Sequence, residues 1–466
     1  MEMNEDYKAT SAEEHLLEAI ADQEEDLDMS DECDWVSRRH ERLQHKNKSA
    51  IEDFLGRGRR VNVVAILPRY YGELLTWALQ RYIEKEGWKV IRMLGYHERK
   101  PVYLDVSTDC DKCENLLMDG QLLVERGDNH FIVTVKITLR SPGSIQVEGA
   151  AREGKEIEEF VNGVTSFARE QNFYRGKDIQ FGGRIRFLNI KDKSWDSIVL
   201  DPAMKREIRA NTIGFLNKKK HWTKYGIPQK RGILLAGEPG TGKTVICKAL
   251  MAEAGGITCI TTNAYQLDAD EYITELYEMA QDLSPCIVFM EDIDLIGLNR
   301  EEYHYQHGPA LLSLLNVLDG IEEKQEIVTV ATTNNLQTLD RALTQRPSRF
   351  DRVVKLSLPS LEERKELISL LCQRVPLDEP TRDYIAHKAE HCTPAQLQEV
   401  IYSLIIEHSD ELSADQSPNY EFSKDEIDRV ISRINGRNRQ QIGFNISGNH
   451  NGDRMACVEA LEENKC

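Results

Sequence analysis

Residues 237–244 read Gly237-Glu238-Pro239-Gly240-Thr241-Gly242-Lys243-Thr244. Gly237, Gly242, Lys243 and Thr244 occupy the fixed places of the phosphate-binding spacing G-x-x-x-x-G-K-[ST]. The glycines let backbone N–H groups turn inward around phosphate oxygens. At this spacing Lys243 is expected to reach the terminal phosphates, and the Thr244 hydroxyl to hold Mg²⁺. Downstream, Cys286-Ile-Val-Phe-Met-Glu291-Asp292-Ile-Asp294 is an apolar run ending in carboxylates. One carboxylate can orient Mg²⁺, and the second can polarise an attacking water. A further apolar run, Val328–Asn334, ends on the amide of Asn334, which can hold a water or sense a phosphate. Arg346-Pro-Ser-Arg349 then offers two guanidinium groups for phosphate charge. The expected ligands are ATP and Mg²⁺.

Elements must hold these groups in register. Gly232–Ala236 is a short apolar strand leading into the glycine loop, and Val245–Ala254 is a helix leaving it. A helix N-terminus at that point favours an anion. Strands at Ile257–Thr261, Cys286–Met290 and Ile327–Thr332 alternate with helical stretches, which argues for a parallel α/β sheet over residues 191–355. Residues 356–435 read as a helical appendage. Ser360-Leu-Glu-Glu363 is a capping box for Leu361–Cys372, Thr393-Pro394 starts Ala395–His408, and Ser423 caps a last helix to Ile434. Residues 61–190 read as a small mixed α/β domain. It has an apolar run at Val63–Leu67, helices at Tyr71–Lys85 and Glu156–Glu170, and strands at Trp88–Leu94 and His130–Leu139. His130, Tyr70, Tyr71 and Trp77 are expected to pack there rather than to ligate.

Charge is uneven along the 466 residues. Residues 1–34 hold fourteen acidic side chains and one Lys, a net of −13 within a chain total of −19. Residues 1–60 are therefore expected to be an acidic, solvated arm with at most a fraying helix at Ala12–Asp22, and residues 436–466 a mobile tail. Net acidity argues against a duplex nucleic-acid partner, since Lys218-Lys219-Lys220 and Lys230-Arg231 are the only notable basic clusters. The ten cysteines are scattered, and Cys110-Asp-Lys-Cys113 has no second pair to complete a zinc site. No apolar run approaches the ~20 residues that span a bilayer. A soluble, cytoplasmic protein is expected, with no membrane partner.

With these residues in view, the chain resembles the AAA ATPase family. The resemblance rests on Tyr225-Gly-Ile-Pro228, the run from Gly232 to Thr244, Leu314-Leu-Asn-Val-Leu-Asp319-Gly320, Ala331-Thr-Thr-Asn334, Leu339-Asp340 and Arg346-Pro-Ser-Arg349-Phe-Asp351. Trp195-Asp196 is similar to the family's entry segment. The resemblance covers about 195–435. It implies a P-loop NTPase sheet with a helical lid, ATP hydrolysis, and a homo-oligomeric ring, usually hexameric, acting on a protein substrate. It further implies that Lys243 and Thr244 make the Walker A contacts, that Glu291 and Asp292 form the Walker B pair, and that Asn334 is sensor 1. Arg346 and Arg349 would reach the neighbouring subunit's ATP.

Three departures stand out. The Walker B order is Glu291-Asp292 rather than Asp-Glu, an order similar to that of the mitochondrial Rieske-protein translocase subfamily. The segment from Thr262 to Pro285 is short and lacks an aromatic–hydrophobic–Gly pore loop; Tyr265 and Tyr272 could substitute, but they are expected instead to pack against helices. Thr393-Pro-Ala-Gln396 stands where many members have Ser-Gly-Ala-Asp, and there is no sensor-2 arginine. No His-Glu-x-x-His is present in these residues, so a fused zinc protease is not expected. The leading expectation is a ring-forming ATPase that remodels a protein partner. The alternatives are an ATP-gated scaffold with negligible hydrolysis and a nucleic-acid-handling loader.

Overall fold

A computed structural model of the chain describes residues 50–95, 100–138, 142–182, 184–190, 193–267, 270–296, 308–320, 326–344, 349–374, 377–409 and 422–437. The expected helix at Ala12–Asp22, most of the acidic arm, nearly all of the C-terminal tail, and Arg346 lie outside these residues.

Two sheets organise the described chain. The first is antiparallel: β1 (Arg60–Leu67), β2 (Lys89–Leu94), β3 (Val102–Asp109), β4 (Lys112–Arg126), β5 (Asn129–Lys136) and β6 (Gly143–Ala150). Its order is β1-β6-β5-β4-β2, with β3 also paired to β4. Helices α1 (Gly72–Lys85) and α2 (Gly154–Glu170) cover one face. In β6 the residues Gly143, Ile145, Val147 and Gly149 are buried while their neighbours are half exposed, as period-2 alternation requires. On the opposite face Ile51, Phe54 and Leu55 pack on Leu94, Leu123 and Ile132.

The second sheet holds β7 (Asp178–Gln180), β8 (Arg186–Phe187), β9 (Lys230–Gly237), β10 (Thr258–Asn263), β11 (Cys286–Glu291), β12 (Ile327–Thr333) and β13 (Arg352–Leu356). The order is β13-β9-β12-β11-β10-β7-β8, and every pair is parallel except β7 with β8. β12 is buried along its whole length and β11 in all but its last residue, the mark of a sheet covered on both faces. Helices α3 (Pro202–Asn211), α4 (Lys243–Glu253), α5 (Asp270–Asp282) and α6 (Gly308–Gly320) accompany these strands. The sheet reaches back past residue 190, because its last two strands come from residues 178–187. After β13, helices α7 (Leu361–Leu371), α8 (Glu379–Lys388), α9 (Pro394–Ser409) and α10 (Lys424–Arg437) close around a small core of their own. The capping box of Ser360 and Glu363 is formed on α7. Among the described residues, no helix is long and apolar enough to cross a membrane.

The two sheets share one apolar core, which runs from Leu67 through Phe131 and Ile157 to Leu276, Met290 and Leu318. A polar joint reinforces it. Tyr70 and Tyr71 both donate their hydroxyls to Asp282 Oδ2 at the end of α5, the Tyr71 bond measuring 3.1 Å. Burial and the Asp282 carboxylate hold both phenols well above their ordinary range. Arg69 bonds both oxygens of Glu275, at 3.3 and 2.5 Å, and its guanidinium lies 4.4 Å from the centre of the Tyr272 ring.

Two predictions follow from this packing. Asp282→Ala leaves two buried hydroxyls without their acceptor and is expected to cost roughly 3 kcal/mol in urea unfolding. The same change on a Tyr70→Phe, Tyr71→Phe background is expected to cost much less; equal losses on both backgrounds would deny the joint its role. Burial also pushes the Asp178 carboxyl up to about 6, against the opposing pull of Cys259 and Lys177. An unfolded aspartate titrates near ~3.9, so the folded chain binds that proton more tightly. Its contribution is complete below about pH 4 and is lost as pH rises through about 6. Asp178→Asn is therefore expected to flatten the fall in Tm across that window, and an unchanged slope would exclude Asp178 as its source.

Candidate functional site

The site forms where neighbouring parallel strands end. Thr333 of β12 is paired with Ala236 of β9, and Ala331 of β12 with Met290 of β11. The glycine loop, Glu291-Asp292 and Asn334 therefore leave the sheet at the same edge, side by side. Ligands of open parallel sheets bind at that edge, outside the carboxyl ends of the strands.

The loop from Gly237 to Thr244 depends on its glycines. Gly240 and Gly242 have φ of +85° and +95°, a region side chains disfavour. A Cβ on Gly237 would stand 2.7 Å from the Leu356 carbonyl, and one on Gly240 would stand 2.8 Å from Thr393 Oγ1. Gly242 caps α4 without any side-chain hydrogen bond, so the first N–H groups of that helix face the loop. Lys243 is 7% exposed, and its ammonium donates to the carbonyls of Gly237 at 2.7 Å and Glu238 at 3.1 Å. Burial pulls that ammonium below the ordinary lysine range, while Asp292 and Asp294 oppose the shift. Thr241 donates to the Glu238 carbonyl at 2.8 Å, which closes the loop around Pro239.

Across the loop, Thr244 Oγ1 donates to Glu291 Oε2 at 3.2 Å. A hydroxyl beside a carboxylate is a donor set suited to Mg²⁺. Asp292 sits just past the strand with φ of 54° and ψ of 52°. Aspartate is among the few residues that accept this left-handed backbone. The conformation is held by Asp292 N–H donating to Thr332 Oγ1 at 3.0 Å. Asn334 Nδ2 donates to Asp292 Oδ1 at 3.1 Å. Asp294 anchors the far side: it accepts from the Thr333 hydroxyl, and its Oδ2 accepts from Asn334 N–H at 2.9 Å. Glu291, Asp292, Asn334, Lys243 and Thr244 are thus brought together. The donors and acceptors present fit a magnesium nucleotide: open helix N–H groups, a lysine at the loop, and a hydroxyl paired with a carboxylate.

Arg349 lies elsewhere in its own chain. It is 4% exposed and forms a bidentate ion pair with Asp319, with bonds of 2.8 and 2.6 Å. Of the two tyrosines expected to pack against helices, Tyr272 is half buried beneath Arg69, whereas Tyr265 stands 82% exposed in the turn after β10.

The cleft, about 460 Å³, takes in residues that no polar motif announces. Ser197, Ile198, Val199 and Leu200 line it from the segment after Trp195, and Leu367, Leu371, Pro394, Ala395 and Gln398 line it from α7 and α9. Trp195 itself is buried in the core beneath α4. The start of α9 touches the loop directly, with Ala395 N–H donating to the Gly240 carbonyl at 3.2 Å. Thr393 and Gln396 cap that helix reciprocally, at 2.8 and 3.3 Å. The signal available in the sequence was the helix start at Thr393-Pro394; its docking against a loop 150 residues away was not.

Comparison with known proteins agrees with this geometry. The family described as "ATPase family associated with various cellular activities (AAA)" matches residues 233–358, from β9 to just past β13. The ATP-dependent zinc metalloprotease FtsH 3 of Sphaerobacter thermophilus is 37% identical over 181 residues, which cover 37% of this chain and 36% of that protein. FtsH 1 of Alkaliphilus metalliredigens is 30% identical over 278 residues, covering 57% and 44%. The cell division cycle protein 48 homolog of Archaeoglobus fulgidus is 32% identical over 185 residues, covering 38% and 25%. The chain spans less than half the length of these relatives. The matched region, residues 233–358, is thus similar to AAA ATPase domains, and it carries the parallel α/β sheet of the P-loop fold.

Proposed function

We propose that this chain hydrolyses ATP with Mg²⁺ in a homo-oligomeric ring, of six subunits, and uses that cycle to remodel a protein partner. The observation that carries the reading is the convergence of Lys243, Thr244, Glu291, Asp292 and Asn334 on one lid-covered cleft. Bound Mg²⁺ would neutralise charge on the phosphates. The loop N–H groups of residues 240–244 bind and orient the phosphate chain, and Lys243 exchanges its two carbonyl partners for phosphate oxygens. Thr244 and Glu291 hold the metal side. Asp292 accepts the proton of the attacking water, and Asn334 fixes where that carboxylate points. Arg346 supplies charge to the neighbouring subunit's phosphate. The lid helices α7 and α9 exclude water from the cleft. The domain of residues 61–190 recognises the partner. Acidic composition supports a protein rather than a nucleic-acid partner, and the scattered thiols support a cytoplasmic setting.

A second reading, an ATP-gated scaffold, draws on Asp292. Its carboxylate is one carbon shorter than glutamate and is engaged by Asn334. Turnover separates the two readings.

Lys243→Ala is expected to lower ATP affinity by on the order of 100-fold, as befits the loss of a charge-assisted contact. Asp292→Asn is expected to slow turnover by roughly 10²–10⁴ while ATP stays bound, the scale of general-base catalysis; undiminished turnover would remove Asp292 from that role. Turnover per subunit, measured against protein concentration in Mg²⁺ buffer, is expected to rise steeply as neighbouring subunits complete one another's sites. A flat, near-zero profile with ATP still bound would favour the scaffold.

A further inference from the structure

Arg349 has every directional reason to stay where it is. Its Nε and Nη2 take both oxygens of Asp319 in the last turn of α6, at 2.8 and 2.6 Å, and its Nη1 donates to the Ala342 carbonyl. All three guanidinium nitrogens are used, and the planar fork matches the carboxylate in the way that makes arginine pairs specific. The side chain is 5% exposed. The following backbone is equally fixed. A Cβ on Gly232 would lie 1.8 Å from the Arg349 carbonyl oxygen, so β9 must carry glycine there to admit this chain. Gly232 N–H donates to Asp351 Oδ2 at 2.8 Å, Arg231 Nη1 lies 3.7 Å from Asp351 Oδ1, and Phe350 is buried in the shared core. Residues 349–351 therefore tie α6 and Ala342 to the first residues of the strand that ends in the phosphate loop.

We infer that Arg349 acts within its own subunit, as a positioning residue that couples Asp319 of α6 to β9, and does not deliver charge to a neighbour's nucleotide. This deepens the ring-ATPase reading and rests on it. Of the two arginines in Arg346-Pro-Ser-Arg349, the second is removed from the set that acts between subunits. To act there, Arg349 would have to surrender three bonds and leave a buried site lined by its own chain.

Asp319 makes the inference testable, because the two roles give Asp319→Ala opposite signs. A positioning role requires Asp319→Ala to lower kcat about tenfold, as Arg349→Ala does, with the double variant no slower than either. ATP affinity is expected to stay within about twofold in all three, and Asp319→Asn, which keeps one oxygen as acceptor, is expected to recover most of the rate. A charge acting on the neighbour predicts instead that Asp319→Ala frees the guanidinium and holds or raises kcat, whereas Arg349→Ala abolishes it. That result would overturn the inference. Melting temperatures of the same four proteins test the pairing independently of activity: the single losses are expected not to add in the double, and full additivity would also overturn it. Absence of turnover in the unaltered protein would instead count against the ring-ATPase reading, with the melting data still deciding whether Arg349 and Asp319 are coupled.

Discussion

Parallel hydrogen bonding between β9, β12 and β11 is the constraint on which the site depends. Parallel strands in one sheet must end on the same side, and their side chains must be apolar because helices cover both faces. Once Ala236 pairs with Thr333 and Ala331 with Met290, the next residues of each strand are the ones that leave the packed sheet at this edge. Those residues are Gly237, Asn334 and Glu291 with Asp292. The chemistry is therefore confined to the ends of otherwise apolar strands. A register slip of one residue in β11 or β12 would turn buried Val288, Met290 or Val330 to the opposite face as well as moving the carboxylates. Core packing and site geometry are in this sense one specification.

The same economy joins the first sheet to the second. Arg69, Tyr70 and Tyr71 do not bond to a linker but to α5, the helix that lies between β10 and the carboxylate strand β11. Arg175 adds bonds to the carbonyls of Asp282 and Ser284, directly before β11 begins. A continuous apolar core lies beneath, so the two sheets are packed against one another rather than joined by a linker alone. The bonded path from the first sheet therefore runs through α5 to the base of β11. Both tyrosines on that path are buried, and Arg69 stacks over Tyr272.

Much of the second sheet is legible in the sequence, for a physical reason. Its strands are short apolar runs bounded by glycine, proline or acid, and its loop carries a spacing that few other functions require. The helical tail is legible through its caps, since Ser360 with Glu363 and Thr393 with Pro394 mark helix starts locally. The first sheet is harder. The 15-residue β4 breaks alternation at Leu116-Leu117-Met118 and at Gly120, where Pro101 and the Leu94 carbonyl press close, and its pairing shifts register against both β2 and β3. Strands β7 and β8 are too short to carry a period at all. Long-range polar pairings are absent from any local pattern: neither the tie between Arg349 and Asp319 nor the tyrosine bonds to Asp282 can be read from spacing. The cleft walls at Ile198–Leu200 and Leu367 look like ordinary core residues until the fold sets them beside the loop.

The inverted order Glu291-Asp292 becomes intelligible from backbone geometry. Position 291 still lies in β11, and its side chain must cross to Thr244 on α4, a reach that glutamate completes with a hydrogen bond of 3.2 Å. Position 292 has left the strand in the left-handed region, where a non-glycine residue costs roughly 1–2 kcal/mol and short polar side chains are the best tolerated. Aspartate there is met by Asn334 Nδ2 on its carboxylate and by Thr332 on its backbone N–H, so one residue of β12 and one just past it hold the strained turn in place. The longer carboxylate is used where distance must be spanned, and the shorter one where the backbone already turns toward the cleft. Exchanging them would leave Thr244 short of its partner and place a longer side chain in the region least able to accept it.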